Sequence, residues 1–219
     1  MEREFWLKRW QTGDIGFHRD DVHPALLEFW GKAAADSAAK VFVPLCGKSL
    51  DMRWLAARGH PVLGVELSEQ AVDEFFTGEG LEPEVRRADG FAVKSAGRYE
   101  IWCGDYFALP TEALADVGTF YDRASLIALP PAMRERYAAR LAELLPAGTQ
   151  GLLVTIDYDP AEMNGPPFSV TSEEVSRLFG QGFSIDELSL RDVLSGNPGL
   201  VKRGLTALTE SCHLLRRSP

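Results

Sequence analysis

Residues Lys40 to Glu66 constrain the fold of this 219-residue chain more than any other stretch. Val41 to Val43 is an apolar run and Pro44 to Gly47 a turn. Leu50, Trp54 and Leu55 mark an amphipathic segment, and Gly59-His60-Pro61 breaks it before a second apolar run that ends in Glu66. That pattern predicts a strand, a helix and a second strand, the opening half of a nucleotide-binding α/β sheet. In such sheets the ligand lies beyond the carboxyl ends of the strands, so the Leu45-to-Gly47 turn and Glu66 are expected to face one cleft. An acid at the end of the second strand, about 20 residues after the first turn, is the usual acceptor for two ribose hydroxyls. Glu66 is expected to hold a ribose.

The turn narrows the ligand. A dinucleotide fingerprint needs glycines in a G-x-G-x-x-G register, and here only Gly47 is present. A Walker A loop needs a glycine five residues before its Gly-Lys-Ser, where this chain has Phe42 inside the strand, so Gly47-Lys48-Ser49 is read as accidental. A phosphate-free nucleoside fits better. S-adenosylmethionine, an adenosine with an amino-acid tail, needs a ribose acceptor and turn backbone but no phosphate cradle, and is the expected cofactor.

Val43-Pro44-Leu45-Cys46-Gly47-Lys48-Ser49 with Asp51, then Gly59-His60-Pro61-Val62-Leu63-Gly64-Val65-Glu66-Leu67-Ser68, resembles the thiopurine S-methyltransferase family in its bacterial branch. The resemblance continues in order through Phe5-Trp6-Leu7-Lys8-Arg9-Trp10, Gly16-Phe17-His18, Tyr121-Asp122-Arg123-Ala124-Ser125-Leu126, Tyr158-Asp159-Pro160 and Gly165-Pro166-Pro167-Phe168. It covers nearly the whole chain. It implies a class I S-adenosylmethionine-dependent methyltransferase: an α/β, Rossmann-like fold with a mostly parallel seven-stranded sheet, a final antiparallel strand and an N-terminal helical lid. Residues 1–35 would form the lid and 40–219 the core of a single domain. The resemblance also implies that Trp10 lies against the cofactor and Phe17 near the substrate, that thiopurines are test substrates, and that metalloid methylation and tellurite resistance are possible roles.

Composition fits that picture. A net charge of −9 and a pI near 5.0 argue against a nucleic-acid partner, so a small molecule is expected. Cys46, Cys103 and Cys212 are odd in number and widely spaced, which suggests neither disulfides nor zinc and fits a reducing cytoplasm. No signal-peptide core or membrane-length apolar run is apparent, and a cytoplasmic monomer is expected.

Along the chain, Phe5, Trp6 and Trp10 share one side of a helix over residues 3–11, where packing is the competing reading for aromatics at helical spacing. A second helix is predicted from His23 to Ala35 with Leu26, Leu27, Phe29 and Trp30 apolar, closing the cleft or packing on the sheet. Ser68 is the predicted N-cap of the next helix. Glu84 to Ala88 reads as a strand, and Ala92 to Cys103 as a hairpin. Pro131 to Leu145 reads as a helix with Arg134-Glu135-Arg136 on its wet side. Thr171 and Glu174 form a predicted capping box, and Phe183 to Leu190 and Leu205 to Leu215 a final antiparallel pair around a basic Lys202-Arg203 loop.

The remaining candidate site residues carry two readings each. Asp105 and Tyr106 follow a strand end, where an acid and a flat ring suit an adenine; an Asp-led turn is the alternative. Arg123 ends the fourth core strand, where a salt bridge to Asp122 or another acid competes with a site role. With the family resemblance it becomes the first site residue outside the cofactor turn, holding the cofactor carboxylate or stabilising a substrate thiolate. The Asp/Asn-Pro-Pro-aromatic motif of base-methylating enzymes is missing at that strand end, which argues against base N-methylation. His18 is the candidate for taking a substrate proton, against a surface or capping role. Pro167 and Phe168 lie in a rigid apolar loop suited to an aromatic substrate wall or to a structural turn. The expected reaction is direct in-line methyl transfer to an aromatic or heterocyclic thiolate, with no metal. A methyltransferase for thiocyanate, halide, selenium or tellurium species and a non-catalytic S-adenosylmethionine sensor are the alternatives.

Overall fold

The computed structural model describes residues 3–16, 18–34, 36 and 38–219. Its strands are β1 (Lys40–Val43), β2 (Val62–Glu66), β3 (Glu84–Ala88), β4 (Phe91–Ala96), β5 (Tyr99–Cys103), β6 (Val117–Arg123), β7 (Gln150–Asp157), β8 (Phe183–Asp192) and β9 (Thr209–Arg217). They form one nine-stranded sheet in the order β3-β4-β5-β2-β1-β6-β7-β9-β8. Strands β5, β2, β1, β6 and β7 run parallel, and β9 is antiparallel to both β7 and β8. Those seven are the expected Rossmann-like core. The two extra strands, β3 and β4, pair antiparallel on the edge of β5. Asp89 and Gly90, both at positive φ (49° and 85°), make the two-residue turn that folds β3 onto β4.

Alternation along β1 divides the core. Val41 and Val43 point to one face, where α2 (Pro24–Ala33), α3 (Leu50–Ala57) and α4 (Glu69–Glu79) bury Leu26, Trp30, Met52, Leu55, Val72 and Phe76. Phe42 points to the other, where α5 (Pro131–Leu144) and α6 (Ser172–Phe179) bury Tyr137, Leu141, Val175 and Phe179. Each such side chain contributes about 1.5–3 kcal/mol by leaving water. The helices α1 (Arg3–Thr12) and α7 (Pro198–Lys202) give no residue to either cluster. Of the two placements expected for α2, closing the cleft or packing on the sheet, the second is realised, with Leu26, Phe29 and Trp30 buried in the core.

Several local expectations change in the folded chain. The second helix starts at Pro24, with His23 as its N-cap: Nδ1 accepts from the Ala25 N–H at 3.3 Å. Leu27, expected on its apolar side, is 53% exposed. Arg134, expected on the wet side of α5, is buried; it donates to Glu174 Oε2 at 2.7 Å and to the Leu129 carbonyl at 2.9 Å. Glu174 therefore turns toward Arg134, and only half of the capping box forms, the Glu174 N–H donating to Thr171 Oγ1 at 3.0 Å. The last strand begins at Thr209 rather than Leu205, since α7 and a turn occupy the preceding stretch.

Candidate active site

A cavity of about 790 Å³ opens at the carboxyl ends of β1, β2, β6 and β7. Connections leave to opposite sides of β1 here, the place where open α/β sheets bind ligands. The volume falls within the range of about 300–1,000 Å³ typical of small-molecule pockets.

The turn after β1 forms one wall. Leu45 (φ 44°) and Gly47 (φ 53°) are both left-handed, and the Cys46 N–H donates to the Val65 carbonyl at 3.0 Å, fastening the turn to β2. Holding a leucine in this conformation costs about 1–2 kcal/mol, strain of the kind that collects at ligand sites. Glu66 is 7% exposed and lines the cavity. Its Oε2 accepts from the Gly47 N–H at 2.9 Å and its Oε1 from the Ser68 N–H at 2.8 Å. Burial raises its pKa above the ordinary carboxylate value, with these backbone donors opposing the shift. A carboxylate has about four acceptor positions, so lone pairs remain for a vicinal diol. This acceptor, held by the turn, fits the ribose hydroxyls of S-adenosylmethionine.

Trp10 from α1 covers the same turn. It is buried, its carbonyl accepts from Gln70 Nε2 at 3.2 Å, and a Cβ added to Gly47 would lie 3.2 Å from its ring. Lys48 points away to Glu74 Oε2 at 2.7 Å, so the Gly-Lys-Ser match forms no phosphate cradle. Cys46 is buried; burial holds its thiol pKa well above the usual value, and Sγ fills the space over Gly64. Gly47→Ala is predicted to combine a left-handed penalty of about 1 kcal/mol with a push against the Trp10 ring. Calorimetry should show cofactor affinity reduced several-fold, with Trp10 fluorescence altered.

Asp105 and Tyr106 also border the cavity. The turn reading of Asp105 is realised as well: its carboxylate accepts from the Phe107 N–H at 2.9 Å. Tyr106 is buried, stacks on Tyr137 at 4.8 Å and donates its hydroxyl to the Tyr137 carbonyl at 3.3 Å.

Arg123 ends β6 at the opposite wall. Its Nε donates to Asp51 Oδ2 at 2.8 Å and its Nη2 to Ser49 Oγ at 3.1 Å. Asp51 is 1% exposed, and its Oδ1 accepts from the His23 N–H at 2.8 Å. Burial acts to lower the Arg123 pKa, but Asp51 and Tyr121 more than offset it and hold the guanidinium charged. The acid partner is therefore Asp51. Asp122 faces the other way, accepting from the Tyr137 hydroxyl at 2.6 Å, and burial pushes its pKa up to about 6.

Of the other expected residues, half-buried His18 lines the cavity, where burial and then Lys48 lower its pKa below the usual imidazole value. Phe17 lies outside the described residues. Pro167 is on the wall, and its carbonyl accepts from the Tyr158 hydroxyl at 2.6 Å. Phe168 is set apart from the cavity lining: its ring covers Gly165 and lies 5.8 Å from the Arg134 guanidinium. No local sequence pattern marks Ser49 or Asp51 as site residues, although Ser49 caps α3 and Asp51 in its first turn is the carboxylate that orients Arg123. Nor does any mark Ala124, left-handed at φ 66° on the cavity wall.

Solved structures share this architecture at low sequence identity. A structure of Haemonchus contortus phosphoethanolamine N-methyltransferase 2 in complex with S-adenosyl-L-methionine superposes with a TM-score of 0.67 at 12% identity, over 100% of this chain and 60% of that one. A Burkholderia thailandensis 1,6-didemethyltoxoflavin-N1-methyltransferase with bound 1,6-didemethyltoxoflavin and S-adenosylhomocysteine gives 0.65 at 16% identity, over 99% and 87%. Fold and site together define an S-adenosylmethionine-dependent methyltransferase. The family model for thiopurine S-methyltransferase matches residues 1–218. Among curated relatives, a Pseudomonas fluorescens (strain Pf0-1) thiopurine S-methyltransferase is 50% identical over 99% of both chains, and a Methylococcus capsulatus one 48% identical over 99% of this chain and 98% of its own. The chain belongs to the thiopurine S-methyltransferase family. It is an enzyme whose cofactor is S-adenosylmethionine. No helix among the described residues is long and apolar enough to cross a membrane.

Proposed function

We propose that the protein methylates aromatic and heterocyclic thiols, with the thiolate as nucleophile of a direct in-line transfer. The observation that carries this reading is the fixed guanidinium of Arg123, held by Asp51 and Ser49 in the same cavity as Glu66. When bound, S-adenosylmethionine supplies a methyl group on a sulfonium, the electrophile of the reaction. Glu66 holds the ribose, Trp10 and the Leu45-to-Gly47 turn enclose the cofactor, and Asp105 and Tyr106 border the adenine.

Arg123 holds the cofactor carboxylate or the thiolate, and either role fixes the reacting geometry. Pro167 and the neighbouring apolar wall keep water away, which strengthens the field of the guanidinium. His18, with its lowered pKa, is neutral near pH 7 and so able to take a proton from a thiol. The net charge of −9 and three free cysteines favour a small-molecule substrate and a reducing cytoplasm, where we place the enzyme as a monomer.

A substrate panel tests the proposal: an aryl thiol, thiocyanate, iodide and selenite, each with purified protein and S-adenosylmethionine, products read by mass. Aryl thioether as the dominant product supports it. Dominant methylation of the small nucleophiles, or cofactor binding with no product from any of them, contradicts it.

A further inference from the structure

The cavity contains a carboxylate with no part in the scheme above. Glu210, near the start of β9, lines the cavity with its side chain 21% exposed. Its hydrogen-bond partner among the described residues is His23, whose Nε2 lies 3.2 Å from Oε2. The Ala25 N–H donates to Nδ1 of the same ring, so Nδ1 is an acceptor and the ring hydrogen sits on Nε2, pointing at Glu210. His23 is in turn fixed by its backbone N–H on Asp51, the carboxylate that holds Arg123. The strand partner Arg191 lies opposite Glu210 in register but spends both terminal amines on Glu28, each at 2.7 Å. Glu210 thus keeps an oxygen, Oε1, without a hydrogen-bond partner among the described residues.

We infer that Glu210, oriented by His23, is a specificity-determining residue that accepts a hydrogen bond from a ring N–H of a heteroaryl thiol substrate. A fixed carboxylate beside an apolar wall that includes Ile156, Leu208 and Pro167 suits a flat heterocycle with one donor edge. It disfavours rings with a carboxylate substituent, because two like charges would share a half-buried site. A site built to accept from an N–H discriminates strongly against analogues lacking it, since the acceptor is then left unpaired.

The inference rests on the thiol-methylating reading above, and its test separates the two. The substrates are 2-mercaptobenzimidazole and 2-mercaptobenzothiazole, near-isosteres whose thiolates differ in that only the first retains a ring N–H. In Glu210→Gln the amide oxygen takes the His23 hydrogen and the amide nitrogen turns a donor toward the substrate. The expected result is a loss in kcat/KM of about tenfold or more for the benzimidazole, mainly in KM, and a change within about twofold for the benzothiazole. Glu210→Leu should show the same selectivity, and S-adenosylhomocysteine affinity should be unaltered in both variants. Equal losses for both thiols, or no loss for either, overturn the assignment of Glu210. If the wild type binds S-adenosylhomocysteine but methylates neither thiol, the thiol-methylating reading itself fails before any variant is made.

Discussion

Glu66→Gln is expected to weaken S-adenosylmethionine binding about a hundredfold while the protein stays folded, since two charge-assisted hydrogen bonds to a ribose are worth about 1.5–3 kcal/mol each. The amide keeps the shape of the carboxylate but offers one acceptor where the turn presents two donors, the Gly47 and Ser68 N–H groups. Its NH2 must face one of them, so the turn loses a support as the ribose loses an acceptor. Calorimetric titration of wild type and variant reads the ratio directly, and a change below threefold would remove Glu66 from the ribose site. Protonation should act in the same sense. The Glu66 pKa lies above the ordinary carboxylate value in the free protein, so cofactor affinity is full above that pKa and is lost as pH falls through it.

Arg123→Met is expected to cost about 3–5 kcal/mol of stability, because it leaves Asp51 buried with no cation beside it. Turnover should fall by about 10²–10³, the range found when a preorganised charge is removed from a reacting centre. Adding Asp51→Asn separates these effects. The asparagine carbonyl still accepts from the His23 N–H, but the unpaired charge is gone, so the double variant should recover most of its urea midpoint and none of its activity. Recovery of both would mean that Arg123 acts only as the partner of Asp51. Recovery of neither would mean that the guanidinium fills space the core cannot close.

How much of this was legible in the sequence depended on whether the signal was local. The Lys40-to-Glu66 unit reads correctly because its apolar runs, turn and acid lie within one strand-helix-strand segment and meet at one end of the sheet by topology. The fourth core strand and its terminal Arg123 read for the same reason. The β3–β4 turn was also local, since Asp89-Gly90 is a hairpin signal, but seven strands are expected from the family resemblance and this turn adds an edge outside that plan. The partners of charged residues were not legible. Arg134 looks like a wet-face residue until α6 brings Glu174 to it from 40 positions away, and Arg123 meets Asp51 across 72. Glu210 and His23, 187 positions apart, are neighbours only because β9 inserts beside β7 under the start of α2. Phe168 reads as a substrate wall because it is apolar and adjacent to Pro167, yet its ring packs over Gly165, where a Cβ would stand 2.4 Å from it.

The central claim is that one cavity brings S-adenosylmethionine and an aromatic thiol together for transfer to sulfur. Its most direct test is a single-turnover reaction of wild-type protein with methyl-labelled S-adenosylmethionine and an aromatic thiol, the product identified by mass and fragmentation. The label is predicted to appear on the thiol sulfur, in amounts stoichiometric with S-adenosylhomocysteine. Label found on nitrogen or on the protein, or bound cofactor left intact in the presence of the thiol, would contradict the account.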